Sequence, residues 1–170
     1  DECLATFTQW NRYRCDVVTS LAVIREEQPE VINADALALK EAKPLSASLR
    51  DALALPQREV ASRLKRDAFL KNVIEVVPEL VFVRRERRQQ AFGNGRSEAL
   101  LSRDSDFPDN EQAAIIFDQF HLAGKGSKQT TSYATCMAPI SLTWIAEAGL
   151  GEEQIGERQE HDGQLVDLMH

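Results

Sequence analysis

Polar and apolar residues alternate in the first part of the chain. Between residues 12 and 18, Tyr13, Cys15 and Val17 lie on one side of an extended segment, and two arginines and an aspartate lie on the other. Successive side chains of a β-strand point to opposite faces, so this period of two is typical of a half-buried strand. The pattern predicts a strand over residues 12–18.

The region that follows has the composition of helices. Residues 33–42 are mostly Ala, Leu, Lys and Glu, which favour a helix. Because proline removes a backbone hydrogen-bond donor, we expect Pro44 to end this helix and a second helix to run to Leu55. Beyond Pro56 a third helix is predicted from apolar residues that recur every four positions, namely Val60, Leu64 and Ala68.

A short apolar segment in the middle of the chain predicts a buried strand. Residues 80–83, Leu-Val-Phe-Val, form an uninterrupted apolar run, which is typical of a strand covered on both faces. The arginine-rich residues 84–88 continue this run, and we expect their charged side chains to leave the core. Residues 93–95, Gly-Asn-Gly, accept positive φ and predict a turn, whose flanks form either a hairpin or a strand followed by a helix.

The clearest helical pattern lies in residues 109–123. Asp109 and Gln112 fit a capping box at the start of a helix, and Gly124 fits its end. The residues with the spacing of one apolar helix face are Ala113, Ile116, Phe117 and Phe120. The pattern predicts a helix over residues 111–123.

The remaining elements complete the prediction of an α+β fold. Ile140, Leu142 and Trp144 alternate with polar residues, which predicts a strand. Residues 152–170 are polar and weakly helical. Because no internal repeat or linker divides the chain, we expect a single domain over residues 1–170. Its predicted architecture is several helices packed on a small, mostly antiparallel sheet of three or four strands.

Composition and charge limit the classes of protein to which this chain can belong. The 170 residues are 43% hydrophobic and 28% charged, as in a globular domain, and no apolar run approaches the roughly 20 residues that span a bilayer. The net charge of -7 opposes non-specific binding to nucleic acid and to anionic membranes. We therefore expect a soluble chain without a membrane partner, in which any anionic ligand binds at a local patch.

The number and spacing of the cysteines indicate the cellular compartment of the protein. Cys3, Cys15 and Cys136 are too few for a disulfide scaffold and lack the paired spacing of a zinc site. This favours a cytoplasmic chain, and a bridge between Cys3 and Cys15 in a secreted chain is the alternative. The first residues lack the basic and apolar regions of a signal peptide. No pattern in the sequence predicts a metal site or identifies a cofactor.

The first candidate site is a local concentration of arginine in an acidic chain. A guanidinium group presents a planar fork of donors that matches phosphate and carboxylate. We expect this group to bind a phosphorylated or other anionic ligand. The alternative is a solvated strand end whose arginines pair with surface carboxylates. The arginines are Arg84, Arg85, Arg87, Arg88 and Arg96.

A second candidate is the segment of residues 124–131. It contains glycines, hydroxyls and lysines, which can bind a phosphate through side chains and backbone N–H groups. The spacing differs from that of a P-loop, so a plain connector is the alternative interpretation. The residues that would contact the anion are Lys125, Ser127 and Lys128.

The third candidate site is catalytic. Asp118 and His121 lie three apart, which places them on one face of the predicted helix, where the carboxylate can orient the imidazole as a general base. Cys136 or Ser132 would supply the nucleophile from a later strand. The alternative is a salt link on a helix surface, or a histidine packed on Phe117.

These candidates give three hypotheses of function. The leading one is a binding or regulatory module that recognises an anionic ligand or partner through the arginine patch. The second is a small hydrolase or transferase that uses Asp118, His121 and Cys136. The third is a structural subunit that associates with copies of itself. An interaction module with a protein partner is the alternative if no small ligand binds. The enzyme hypothesis requires His121 to lie within hydrogen-bonding distance of Cys136 or Ser132.

Overall fold

The computed structural model of the chain combines helices with a closed sheet. It describes residues 15–25, 36–57, 65–103, 105, 107–123, 130–151, 155–161 and 164–169. The helices are α1 (Asp16–Ile24), α2 (Ala36–Ala52), α3 (Arg66–Val76) and α4 (Leu142–Glu147), and a short 3-10 turn spans Pro78–Leu80. The strands are β1 (Val81–Arg85), β2 (Arg88–Gly93), β3 (Glu98–Leu101), β4 (Ala113–Ala123), β5 (Thr130–Ile140), β6 (Ile155–His161) and β7 (Gln164–Met169). The predicted α+β class is confirmed.

Five strands close into a barrel in the order β1-β2-β3-β5-β4. Strands β1, β2 and β3 follow one another as antiparallel neighbours, and β4 returns to pair with the other edge of β1, as in a Greek key. Strand β5 completes the barrel by pairing antiparallel with β4 and parallel with β3. Strands β6 and β7 form a separate antiparallel hairpin. The main sheet is mostly antiparallel, as the sequence predicts, but has five strands instead of three or four.

The two faces of β4 pack against different layers of the protein. Ala114 and Ile116 belong to the barrel interior, which also contains three buried phenylalanines. Ala113 and Ile115 point outwards and pack with apolar side chains of α1, α3 and α4. Residues 113–116 are therefore all buried. Helices α1, α3 and α4 form a layer on one part of the outer barrel wall.

The helix predicted over residues 111–123 is wrong, because most of this segment is strand β4. A barrel strand that is covered on both faces needs a continuous apolar run, and the helical spacing arises by coincidence within such a run. The register also shifts on either side of Asp118, which interrupts the regular alternation that would reveal a strand.

The strand predicted over residues 12–18 is also wrong in the part that is described. Cys15 precedes α1, which begins at Asp16. Cys15 and Val18 are both buried against the outer wall of the barrel, and a separation of three residues places two side chains on one face of a helix. Residues 12–14 lie outside the described residues.

Helix α2 runs through Pro44 without a break. A proline removes one backbone donor, and the good helix formers around it maintain the helix on an exposed surface. The predicted boundary at Pro44 is wrong, whereas the helix predicted for residues 36–42 is confirmed. Val60 and Leu64, from the third predicted helix, lie outside the described residues. Among the described helices, none is both long and apolar enough to cross a membrane.

Two elements near the C-terminal end differ from the prediction. Strand β5 ends at Ile140, and Ser141 Oγ accepts a hydrogen bond from the N–H of Thr143 at 3.1 Å. This cap starts α4, so residues 142–144 belong to a helix instead of the predicted strand. The weak helix predicted beyond residue 152 is replaced by the hairpin of β6 and β7 in the part that is described.

Candidate functional site

Strand β1 places neighbouring arginines on opposite faces of the barrel wall. Phe82 and Arg84 point inwards, and Arg84 is only 8% exposed. The residues on the outward face are Val81, Val83 and Arg85. Because successive strand residues alternate, one short run supplies both a buried and an exposed guanidinium group.

The Arg84 guanidinium connects β1 to β2 and to the segment that precedes β4. Its Nε donates to the carbonyl oxygen of Glu111 at 2.8 Å, and its Nη2 donates to that of Pro108 at 3.2 Å. Its Nη1 donates to the carbonyl oxygen of Gln89, and its Cζ lies 4.6 Å from the centre of the Phe92 ring. Burial lowers the pKa of the Arg84 guanidinium from its ordinary value. Because the ordinary pKa of arginine is far above neutral, the group keeps its positive charge.

The expectation that residues 84–88 leave the core is therefore wrong for Arg84. Phe82 points into the barrel, and the side chains of a strand alternate between its two faces. Arg84, two residues further on, must therefore also point inwards. Backbone carbonyl groups and an aromatic ring give the charge its partners there. We assign Arg84 a structural role, and the predicted anion site keeps its exposed arginines only.

Three arginines lie on the outer face of the β1–β2 hairpin, and two of them contact the carboxylate of Glu98 on β3. Arg85 Nε lies 3.5 Å from Glu98 Oε2, and Arg88 Nη1 lies 2.8 Å from Glu98 Oε1. Arg87 is exposed in the turn between the strands. The Arg85 and Arg88 side chains are 61% and 60% exposed, so solvent reaches most of both groups. We call Arg85, Arg87 and Arg88 the outer arginines.

A groove runs along the outer face beside the outer arginines. It consists of two cavities of about 590 and 530 Å³ that share Val83 and Gly93. Gly93 pairs with Val83 across the strands, and its missing side chain leaves space between the two cavities. A β-carbon placed at Gly93 would lie 3.4 Å from Arg85 Cδ, so the groove floor lies directly beside this arginine.

The turn after β2 holds Arg96 at the other end of the groove. The turn predicted at residues 93–95 is confirmed, and its flanks form a hairpin. Gly95 has a φ of 80°, which suits glycine. Asn94 Oδ1 accepts the N–H of Arg96 at 3.0 Å, while Asn94 Nδ2 donates to the carbonyl oxygen of Glu79 at 2.8 Å. These bonds fix the backbone from which the Arg96 side chain reaches the smaller cavity.

The lysine-containing candidate belongs to the other end of β4. Three predicted contact residues lie outside the described residues: Lys125, Ser127 and Lys128. Ala123 and Thr130, which flank residues 124–129, pair at the far end of the β4–β5 ladder. Ala113 at the near end pairs with Val83, next to the outer arginines. The two candidate anion sites are thus attached to opposite ends of one strand.

The predicted catalytic residues lie on β4 and β5. His121 and Ser132 are cross-strand partners, and His121 Nδ1 lies 2.8 Å from Ser132 Oγ. Asp118 accepts a hydrogen bond from Thr135 Oγ1. The shared helical face expected for Asp118 and His121 is wrong, because both residues belong to a strand and each has its own cross-strand partner. The structure brings together His121 and Ser132, at the distance that the enzyme hypothesis requires.

The Cys136 thiol has a different environment. Burial raises the pKa of Cys136 to about 12, and the carboxylates of Asp16 and Asp118 act in the same direction. The thiol is therefore protonated at neutral pH, whereas a cysteine nucleophile reacts as the thiolate. Of the two predicted nucleophiles, Ser132 is the one whose side chain lies within hydrogen-bonding distance of His121.

Sequence patterns do not single out the residues that complete the groove. Gly93 pairs with Val83 on one side and with Glu98 on the other, so these three residues lie in a row across β1, β2 and β3. Only the strand pairing gives them a common location. The one local signal is the alternation from Val81, which places Val83 and Arg85 on the same face.

Comparisons with other proteins add no identification. Among the described residues, no three His, Cys, Asp or Glu side chains gather as ligands for a metal ion. Searches of protein-family models, curated proteins and solved structures found no match to this chain. Its function is therefore inferred from its own residues.

Proposed function

We propose that the chain is a binding module that recognises an anionic ligand through the outer arginines. The observation that carries this proposal is a set of three exposed guanidinium groups at a cavity of about 590 Å³, two of which share one carboxylate, Glu98. Guanidinium groups bind phosphate and carboxylate through paired N–H donors, and the cavity has the size of a small-molecule site. An anionic ligand would join or replace Glu98 as the partner of Arg85 and Arg88.

The barrel supports this surface from behind. Arg84 and Phe92 fill the interior beneath the hairpin, and Phe92 packs edge-to-face on Phe107 with ring centres 5.3 Å apart. A site on packed strands holds its geometry better than a site on a long loop. Less conformational entropy is then lost when a ligand binds, which favours affinity.

Isothermal titration calorimetry with inorganic pyrophosphate tests the proposal. We expect the double variant Arg85→Glu/Arg88→Glu to bind at least about tenfold more weakly than the natural chain, because two charges at the site are reversed. The matched control is Lys40→Glu/Arg103→Glu, which reverses the charge of two exposed basic residues that do not line the groove. The affinity of the natural chain should also fall between about 50 and about 200 mM salt, since exposed charges are screened.

Two results would contradict the proposal. One is an unchanged affinity in the double variant. The other is an equal loss in Lys40→Glu/Arg103→Glu, because the effect would then come from net charge and have no specific location. Thermal unfolding of each variant shows whether the barrel is intact, so that a loss of affinity is not mistaken for a loss of fold.

The pairing of His121 with Ser132 favours a second candidate function, a small hydrolase or transferase. An imidazole nitrogen 2.8 Å from a serine oxygen can accept the hydroxyl proton during nucleophilic attack. Neither residue lines the groove described above, so this activity would use a separate site. Labelling of Ser132 by a fluorophosphonate probe, lost in His121→Ala, would support this function. Absence of labelling in the natural chain would contradict it.

A further inference from the structure

The groove continues from the outer arginines onto an apolar floor. Val83 is 38% exposed, although Val81 on the same strand face is only 6% exposed beneath the helices. Past Val83 the groove reaches Ile145 of α4 and Leu150. The helices thus cover one part of this strand face and leave the next part open to solvent, directly beside three cationic side chains.

Charge is concentrated at one end of this groove. The outer arginines line the larger cavity, together with Arg84 and the carboxylates of Glu86 and Glu98. At the other end both Arg96 and Glu79 line the smaller cavity, so their charges balance. The floor between these ends has no charged side chain. The groove therefore presents one anion-binding end and one long apolar surface.

The lining also distinguishes between classes of ligand. Among the described residues that line the two cavities there is no aromatic ring. Phe82 and Phe92, the aromatic residues of β1 and β2, belong to the barrel interior. Sites for single-stranded nucleic acid stack bases on exposed aromatic rings, so this groove suits a flexible apolar chain better than an oligonucleotide.

We propose, on the basis of the anion site described above, that the ligand is a small amphipathic anion. It would be a single acyl or aryl chain that carries one carboxylate or phosphate group. The anionic group binds the outer arginines, and the chain lies over Val83 and Gly93 towards Ile145. Charge complementarity at one end and burial of apolar surface along the rest favour this ligand, whose size fits the two joined cavities.

Calorimetric titration with decyl phosphate and ethyl phosphate, both below micelle-forming concentrations, tests this inference. The two compounds carry the same anionic group and differ in the length of the chain. We expect decyl phosphate to bind at least about tenfold more tightly, because its chain buries apolar surface on the groove floor. Decanol has the same chain without the charge, and we expect it to bind more weakly than decyl phosphate.

Gly93→Val separates the binding of the chain from the binding of the anion. Valine suits a strand, and its side chain projects onto the groove floor. We expect this variant to lose the advantage of decyl phosphate over ethyl phosphate. The new side chain also lies beside Arg85, which both phosphates would contact, so the ratio of the two affinities isolates the binding of the chain. The matched control is Gln90→Val, which adds the same side chain at an exposed position of β2 outside the groove lining. If Gly93→Val does not fold, Val83→Thr makes the floor polar with little change in shape.

The outcomes distinguish this inference from the proposed function. If pyrophosphate binds but decyl and ethyl phosphate bind equally, the amphipathic ligand is refuted and the anion site stands. If neither pyrophosphate nor decyl phosphate binds, both proposals fail. A preference for decyl phosphate that persists in Gly93→Val also refutes the inference, because the chain then binds elsewhere.

Discussion

The inner and outer faces of the β1–β2 hairpin use arginine in different ways. On the inner face, Arg84 donates to three backbone carbonyl oxygens and stacks on Phe92. On the outer face, Arg85 and Arg88 share the carboxylate of Glu98 and remain largely exposed. The partners of a guanidinium group therefore decide its role. The inner arginine stabilises the fold, because its N–H groups donate to backbone carbonyl oxygens. The outer arginines keep exposed N–H donors that can bind a ligand.

The largest effect that we predict concerns the inner face. Arg84→Ala should lower the free energy of unfolding by about 3 kcal/mol, because three carbonyl groups lose a charged donor and the interior loses packing. Urea denaturation measures this change. Arg103→Ala, at an exposed position, should change the same quantity by less than about 0.5 kcal/mol. A loss of less than about 1 kcal/mol in Arg84→Ala would refute its structural role.

Burial also decides the charge state of Cys136, which gives a smaller and pH-dependent effect. Its pKa is about 12 in the folded chain and 9.0 ordinarily, so the unfolded chain releases this proton first as the pH rises. The contribution of Cys136 to stability is constant below pH 9 and falls between pH 9 and 12. From neutral pH to about pH 10.5, the loss should be about 1–2 kcal/mol.

The measurement is urea denaturation of the natural chain and of Cys136→Ser at both pH values. Serine does not ionise in this range, so the variant should lose less stability than the natural chain as the pH rises. An equal loss in both proteins would show that Cys136 ionises as readily in the folded chain as in the unfolded one.

The smallest effect concerns the outer face. Glu98→Gln removes the carboxylate that competes with a ligand for Arg85 and Arg88, so we expect pyrophosphate to bind about two- to fivefold more tightly. The free energy of unfolding should change by less than about 1 kcal/mol, because exposed ion pairs contribute little. Calorimetry and urea denaturation measure the two quantities.

The matched control for this prediction is Glu147→Gln. Glu147 forms an exposed ion pair with Lys71 at 3.2 Å and does not line the groove, so its removal should leave the affinity for pyrophosphate unchanged. Weaker binding in Glu98→Gln would mean that Glu98 positions the arginines for the ligand and does not compete with it.

Local sequence patterns predict those elements that one local property determines. The apolar run at residues 80–83 predicts a strand that the structure places at Val81–Arg85, and the glycines at residues 93–95 predict the turn. Helical composition over residues 36–42 is enough to predict part of α2. In each case the residues themselves favour one backbone conformation, so knowledge of the neighbouring elements is unnecessary.

The other features depend on contacts between distant parts of the chain. Residues 113–116, at the start of strand β4, are buried on both faces by different layers, so these apolar residues carry no period of two. Arginine is usually exposed, but Arg84 is buried because it lies on the face of β1 that points into the barrel. The groove exists because the helices cover Val81 and stop before Val83. The pairing of His121 with Ser132 likewise requires the β4–β5 register.

The most direct test of the central claim observes each arginine separately. The Nε–H signals of the arginine side chains can be followed by ¹H–¹⁵N nuclear magnetic resonance during titration with pyrophosphate, with assignment by single Arg→Lys variants. We predict that the signals of Arg85, Arg87 and Arg88 shift with one common dissociation constant. The signal of Arg84 should shift less than any of these, because its Nε–H donates to Glu111 although Arg84 also borders the larger cavity. Unshifted signals from the outer arginines, or a shift of Arg84 as large as theirs, would contradict the division between the two faces.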